Sequence, residues 1–242
     1  MVRAFAYLKE YNPPVLKLDC KLNPAALSLD LCFALQSLEP YGYGNKTPLF
    51  GIFGAKLERI SPISNNKHLR LLFSKGNNSF QCVLFGTSTD NFCYEVGDIL
   101  DLAVGAEANY YNDNYMLSVQ IKALRMNGID DESLFYDIEQ IDRFETGRDF
   151  CTSIILPTRE DIGIIYKKIC EKPILEERIK SIFIKSIGYA KTYIALKVLL
   201  ELNLITQSAN SSYCAVGNAA KTNLNSSATF KFLTERSNNN VG

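Results

Sequence analysis

The residues from Leu38 to Pro48 hold the densest group of side chains able to grip a ligand. They read Leu38-Glu39-Pro40-Tyr41-Gly42-Tyr43-Gly44-Asn45-Lys46-Thr47-Pro48. Gly42 and Gly44 permit positive φ and close backbone approach. Tyr41 and Tyr43 can stack on bases, and the N–H groups around Asn45 can hold a phosphate. A rigid turn feeding a β-barrel would use the same residues. A second group is Lys67-His68-Leu69-Arg70-Leu71-Leu72. In a strand, Leu69 and Leu71 point one way while His68, Arg70 and Leu72 share the other face. Lys67, Arg70 and Lys75 would then place positive charge at one end of a hairpin. Phe85, Tyr110, Tyr111 and Tyr115 add aromatic surface, and Phe85 fits stacking and core packing equally well.

Reaction chemistry is harder to place. His68 is the single histidine, which excludes hydrolases whose metals rest on several. There is no Gly-x-Ser-x-Gly, no P-loop, and no cysteine with a histidine near it in sequence. A lone histidine fits a surface or hydrogen-bonded role better than a catalytic one. Asp98 and Asp101 are expected at the start of a strand, facing solvent. The seven cysteines are odd in number and none has Cys-x-x-Cys spacing. That argues against a zinc site or a disulfide framework and for a reducing cytoplasm. No apolar run approaches the ~18 residues of a membrane span. Ala4 to Leu8 is too short for a signal peptide. Lys plus Arg and Asp plus Glu both number 26, so whole-chain charge announces no polyanionic partner.

The elements that must position these groups follow from pattern. Residues 1–39 read as a connector and a helix. Val15 to Asp19 alternates like a short strand, and Asn23 and Pro24 suit a helix start. Leu27, Leu31, Ala34, Leu35 and Leu38 fall on one helical face, and Glu39-Pro40 stops it. Residues 40–127 read as all-β. The expected strands are Leu49–Ile60, His68–Ser74, Phe80–Phe85, Asp98–Asn109 and Tyr115–Arg125, with a short helix at Phe92–Tyr94. Turns fall at Asn65-Asn66, Lys75–Asn78 and Asn112–Asn114. In the last strand Leu117, Val119, Ile121 and Ala123 should share the inner face. Five strands with an insertion between the third and fourth form the OB-fold pattern.

Residues 128–156 read as an acidic linker, because residues 130–149 carry eight acidic side chains against two basic. Residues 157–236 read as a helical, winged-helix-like domain. Thr158 caps its first helix, whose stripe is Ile162, Ile165, Tyr166 and Ile169. A second helix runs to Gly188 and a third from Lys191 to Leu202, before a hairpin at Leu204–Thr206 and Tyr213–Val216. Residues 159–197 hold nine basic side chains against five acidic. Residues 237–242 should be a flexible tail. The fold class is thus α+β, a five-stranded OB barrel followed by a mostly helical domain.

The run 35–50, LQSLEPYGYGNKTPLF, resembles the Leu-Glu-Pro-Phe-Gly-x-Gly-Asn-x-x-Pro-x-Phe segment that enters the OB domain of RecJ-type single-stranded-DNA-specific exonucleases. NKHLRLLF at 66–73 resembles that family's Lys-His-Leu-x-Leu strand, FQCVLFG at 80–86 its next strand, and YYNDNYMLSVQIKALR at 110–125 its last two. Residues 159–169 and 224–233 are similar to its C-terminal domain. Tyr41 stands where the family has Phe, and Asn45-Lys46-Thr47-Pro48 replaces Asn-Pro-x-Pro.

The resemblance implies a 5′→3′ single-strand-specific nuclease of DNA repair and recombination. Its manganese or magnesium would sit in an Asp/His core absent from this chain, leaving a non-catalytic C-terminal portion without a cofactor of its own and inactive alone. Single-stranded DNA would be held by Tyr41, Gly42, Tyr43, Gly44, Asn45, Lys67, His68, Arg70, Lys75 and Phe85. The C-terminal domain, through Lys167, Lys168, Lys180, Lys185 and Lys191, would dock the acidic tail of the single-stranded-DNA-binding protein. The alternative is an OB-fold protein-interaction module that binds no nucleic acid.

Overall fold

Alternating burial along a few strands closes the barrel. The structure is a computed structural model that describes residues 16–217 and 222–239. Residues 1–15 of the connector and 240–242 of the tail lie outside the described residues. The chain divides at Gly128/Ile129 into two units.

In the first unit, β1 (Cys20–Lys21) pairs in parallel with the start of β2 (Phe50–Ile63). Then come β3 (His68–Lys75), β4 (Asn78–Leu84), β5 (Ile99–Tyr111) and β6 (Asn114–Met126). The order β2-β3-β4-β6-β5 returns to β2 and closes five strands into an OB-like barrel. Leu69, Leu71 and Phe73 of β3 pack inside with Ile52, Leu57, Leu100, Leu102, Val119 and Ile121. The turns use the residues that tolerate positive φ: Ser64, Asn65 and Asn66 after β2, Gly76 after β3, and Asn112-Asp113 in the two-residue loop after β5.

Three bulges set which residues face inward. Phe53 and Gly54 together stand opposite Asp101, with Gly54 at φ +68. Glu58 is the extra residue where β2 pairs with β3. Lys122 is the extra residue opposite the Ala103/Val104 step of β5. After Lys122 the phase of β6 flips. Leu124 and Met126 pack on the core and Ala123 is exposed, contrary to simple alternation. Asp101 is buried, not solvent-facing. Its Oδ1 accepts the Gly54 N–H at 3.0 Å and the Asn127 amide at 2.7 Å, and its Oδ2 lies 3.6 Å from Arg125 Nε. That carboxylate fastens the first bulge to the strand across from it.

Smaller corrections share one cause, local caps overriding pattern. Asn23 caps only the single turn Pro24–Ala26. Ser28 then caps α1 (Leu29–Gln36), which turns Cys32 inward and leaves Ala34 and Leu38 exposed. Strand β2 runs past Ser61-Pro62 to Ile63. The short helix of the insertion is Thr89–Asn91, tied by its Thr89 N–H to Asn66 at 3.0 Å. Phe92 and Tyr94 instead pack extended on the barrel.

The second unit begins with a helix in place of the expected linker. α2 (Asp131–Glu145) carries Leu134, Ile138 and Ile141 at the spacing of one helical face, with Ile141 in the core and Phe144 packed against it. Its carboxylates have partners: Asp137 accepts the Ala190 N–H at 3.0 Å, and Glu145 meets Lys197 Nζ at 2.7 Å. α3 (Thr152–Ile155) follows, then α4 (Arg159–Glu171) with a full capping box between Thr158 and Asp161. β7 (Ile174–Leu175), α5 (Glu176–Phe183), α6 (Tyr189–Glu201), β8 (Ile205–Gln207) and β9 (Ser212–Ala215) complete a helix–strand–helix–helix–hairpin order. The small sheet runs β7-β9-β8. α7 (Ala228–Asn239) closes the unit and includes residues expected in the tail. Glu201 receives the Thr229 N–H at 3.0 Å and the hydroxyls of Ser227 and Thr229. Among the described residues no helix is long and apolar enough to cross a membrane.

Two measurements check these anchors. Asp101→Ala leaves the Gly54 and Asn127 donors without their acceptor and should cost about 1–3 kcal/mol in urea unfolding. For Glu201, burial alone would raise the pKa, but the Ser227 and Thr229 bonds, helped by Lys197, hold it below the ordinary 4.5. A lowered folded pKa stabilises above the unfolded value and loses that contribution as pH falls through the folded one. Glu201→Ala should therefore cost about 1 kcal/mol at neutral pH. The gap between its melting curve and that of the parent should shrink as pH falls below 4.5.

Candidate nucleic-acid interface

Because Leu69, Leu71 and Phe73 fill the barrel, His68, Arg70 and Leu72 of β3 face outward as expected. Across β4, Arg70 stands opposite Val83 and Leu72 opposite Gln81. Across β2, Arg70 stands opposite Ser61 and Leu72 opposite Arg59. Directly paired residues share a face, and diagonal neighbours lie about 7–8 Å apart. Arg59 and Arg70 are such diagonal neighbours, both exposed, and among the described residues neither forms an ion pair. Arg59 escaped the sequence reading because of the Glu58 bulge. Strict alternation would place it on the inner side with Leu57. Beside it, the Ser74 hydroxyl at 2.5 Å and then Lys56 hold the Glu58 carboxyl below its ordinary pKa.

At the end of β3 nearest the β2–β3 turn, His68 Nδ1 accepts the Gly86 N–H at 2.9 Å. In the neutral ring the proton then sits on Nε2, which is a donor. The ring meets Phe85 edge-on, with centroids 5.0 Å apart. Phe85 is 52% exposed, so it belongs to the rim and not to the core. Lys67 lies in the turn beside this pair, whereas Lys75 ends the strand roughly 26 Å away at about 3.3 Å per residue. The three cations do not gather at one end of the hairpin. They spread along it, with Arg70 between.

The loop after α1 is built on its own bonds. Gly42 N–H donates to the Asn45 carbonyl at 2.7 Å, and Asn45 N–H returns to Gly42 at 3.3 Å. The Asn45 amide ties Leu38 and Pro40 carbonyls at 2.6 and 3.1 Å. Tyr41 is a strut: its hydroxyl donates to the Leu35 carbonyl at 2.7 Å. Burial and then Glu39 push its pKa up, so it keeps that proton. Neither Gly42 nor Gly44 has positive φ, and a Cβ at either would meet nothing within 4 Å. The glycines thus leave the backbone approachable but are not required by its conformation. Tyr43, at 106% exposure, projects wholly into solvent.

A second aromatic surface lies on the β5–β6 hairpin. Tyr110 and Tyr115 pack at 5.0 Å, and Phe33 of α1 meets Tyr115 edge-on at 5.1 Å. Tyr110, Tyr111 and Tyr115 all remain exposed.

In the second unit the expected basic surface is thinner than the charge count implied. Lys180 is buried at 8% exposure, paired with Glu176 at 2.6 Å and set over the rings of Tyr189 and Tyr193. Burial works against its charge, but Glu176 and Tyr189 outweigh it and keep its pKa raised. It is therefore a core ion pair and not a docking cation. Lys168 pairs with Glu171 at 2.6 Å, Lys167 and Lys185 are exposed, and Lys191 is half-buried. Among the described residues, no three His, Cys, Asp or Glu side chains converge as metal ligands would, so a two-metal centre does not fit them. All seven cysteines are free thiols.

Known proteins match part of this chain. The family model of the RecJ OB domain matches residues 18–123. No curated protein matches. Among solved structures, RecJ from Thermus thermophilus in complex with Mg2+ is 26% identical over 48% of this chain and 18% of its own, with a TM-score of 0.36. The same protein with Mn2+ is 25% identical over 47% and 17%, with a TM-score of 0.34. An asparaginyl-tRNA synthetase from Entamoeba histolytica is 16% identical over 62% and 34%, with a TM-score of 0.31. The chain thus spans less than a fifth of the RecJ chains it matches. Residues 18–123, which hold the closed OB-like barrel of β2 to β6, are thus the part of this chain that matches the RecJ OB domain.

Proposed function

We propose that this chain holds single-stranded DNA as the non-catalytic C-terminal part of a RecJ-type 5′→3′ exonuclease of repair and recombination, working in the cytoplasm. The observation that carries the reading is the pair Arg59 and Arg70, exposed and without ion pairs on the outer face of a RecJ-type OB domain. Two guanidiniums at diagonal spacing suit successive phosphates of one strand. Lys67 extends the positive track to the turn, and His68 Nε2 offers a further donor. Phe85 and Tyr43 supply faces on which bases stack without regard to sequence.

The second unit suits a different role. Counted from α4, the third helix is α6, where a winged-helix module would read DNA. Here α6 is largely buried, with α2 laid along it, Asp137 at its N-terminus and Glu145 on Lys197. A polyanion would meet carboxylates there. The second unit instead suits protein docking away from α6, with the acidic tail of a single-stranded-DNA-binding protein held by the exposed Lys167 and Lys185, while Lys191 stands on α6 next to the Asp137 contact.

Fluorescence anisotropy with single-stranded and duplex oligonucleotides at two salt concentrations tests the DNA grip. Single strands should bind preferentially and weaken with salt. Arg59→Ala with Arg70→Ala should lower affinity at least tenfold and reduce the slope of log K against log salt by about 1.4. Absence of binding at low salt would sink the proposal. Separately, Tyr43→Ala should leave the melting temperature unchanged and weaken single-strand binding by about 1–3 kcal/mol.

A further inference from the structure

Strand β5 is longer than the neighbour on one of its sides. Residues from Ile99 to Val104 pair with β2, whose first residue, Phe50, stands opposite Val104. From Gly105 to Tyr111, β5 pairs only with β6 among the described residues. Half of the N–H and C=O groups along that stretch therefore point out from an open sheet edge. Such an edge is a template for another strand unless something blocks it. No proline or lysine guards this one, and Glu107 is its single charge. Gly105 and Ala106 are buried where α1 packs on β5, so the part of the edge open to a second backbone runs from Glu107 to Tyr111, where Ala108 is small.

The open edge forms one wall of a cleft. Leu35 of α1 and Glu39 and Tyr41 of the following loop face Ala106, Glu107 and Ala108 across a volume of about 240 Å³. That is below the usual range of about 300–1,000 Å³ for small-molecule pockets. The cleft suits a chain laid along the edge better than a compact ligand.

Its charge selects the chain. Glu39 and Glu107 are both exposed, and among the described residues neither has a basic partner. Glu107 receives only the Gln120 amide, at 3.1 Å. Their field is felt inside the cleft. After burial, Glu39 is the next cause raising Tyr41, and Glu107 the next raising the Cys32 thiol. A phosphodiester backbone would be repelled, and lysine or arginine drawn in.

We propose that the β5 edge from Glu107 to Tyr111 takes up an extended basic segment of a partner protein as an added strand, its cations beside Glu39 and Glu107. Main-chain bonds would supply the affinity, and the two carboxylates the selectivity. The proposal does not depend on the grip of Arg59 and Arg70, which stand on the outward side of β2 and β3 and are read by a different titration.

Amide hydrogen exchange by NMR on the full chain tests it, with the end-capped heptapeptide Lys-Thr-Val-Lys-Val-Thr-Lys as probe. At saturation, amides within 107–111 should slow at least tenfold. The same peptide N-methylated at alternate residues should bind at least tenfold more weakly, and so should its Glu-for-Lys counterpart. Glu39→Lys with Glu107→Lys, both at exposed positions, should reverse the preference between the two charge forms. The proposal fails if millimolar peptide protects nothing or protects another region. It fails equally if N-methylation is without effect, since charge alone would then explain binding. Protection of 107–111 in the free chain, with a dimer in sedimentation, would assign the edge to a second copy and overturn it.

Discussion

Strand β2 has to serve two neighbours, and most of the first unit follows from how it does so. Its first half pairs with β5 and its second half with β3. A straight strand cannot hydrogen-bond to both around a small barrel. It bends at the Phe53-Gly54 bulge and again at Glu58, and each extra residue shifts the inward phase by one. Asp101 makes the first bend tolerable by taking the Gly54 N–H that the ladder gives up. With the first shift Ala55 and Leu57 follow Phe50 and Ile52 into the core, and after the second Ile60 packs against it.

Both candidate surfaces follow from the course of β2. The second phase shift turns Arg59 outward, where it joins Arg70. Because β2 begins only opposite Val104, the end of β5 is left without a partner. One outer face gains two cations, and the free edge keeps two carboxylates. The separation sorts ligands by sign: a nucleic-acid strand is attracted to the arginines and turned away from the edge. The two readings of an OB domain, nucleic-acid grip and protein module, therefore need not compete on one barrel.

The sequence made legible whatever depends on regular alternation and on turn chemistry. The inward face of β3, the Asn112-Asp113 hairpin and the Thr158 capping box can all be read from residue types alone. Bulges cannot, because an inserted residue leaves no mark in composition and reverses every assignment after it. That is why alternation puts Arg59 and Ala123 on the wrong side. Within the candidate site, residue pattern puts His68 and Arg70 on one outward side, the structure sets Phe85 against His68, and Lys75 lies at the far end of its strand. Gly42 and Gly44 look like conformational necessities and prove to be merely permissive.

Charge counts mislead for a related reason: they ignore what each charge touches. Residues 130–149 have the composition of a solvated linker, yet Leu134, Ile138 and Ile141 share the spacing of a buried helical face. The carboxylates of α2 are spent inside the unit, on the α6 N-terminus and on Lys197. Lys180 counts toward a basic surface but lies against Glu176 and two tyrosines. Once such internally satisfied charges are removed, few cations remain on the second unit, and its would-be reading helix is covered by acid. The proposed grip on nucleic acid then falls to the barrel, where among the described residues the exposed Arg59 and Arg70 have no carboxylate to release before they can take a phosphate.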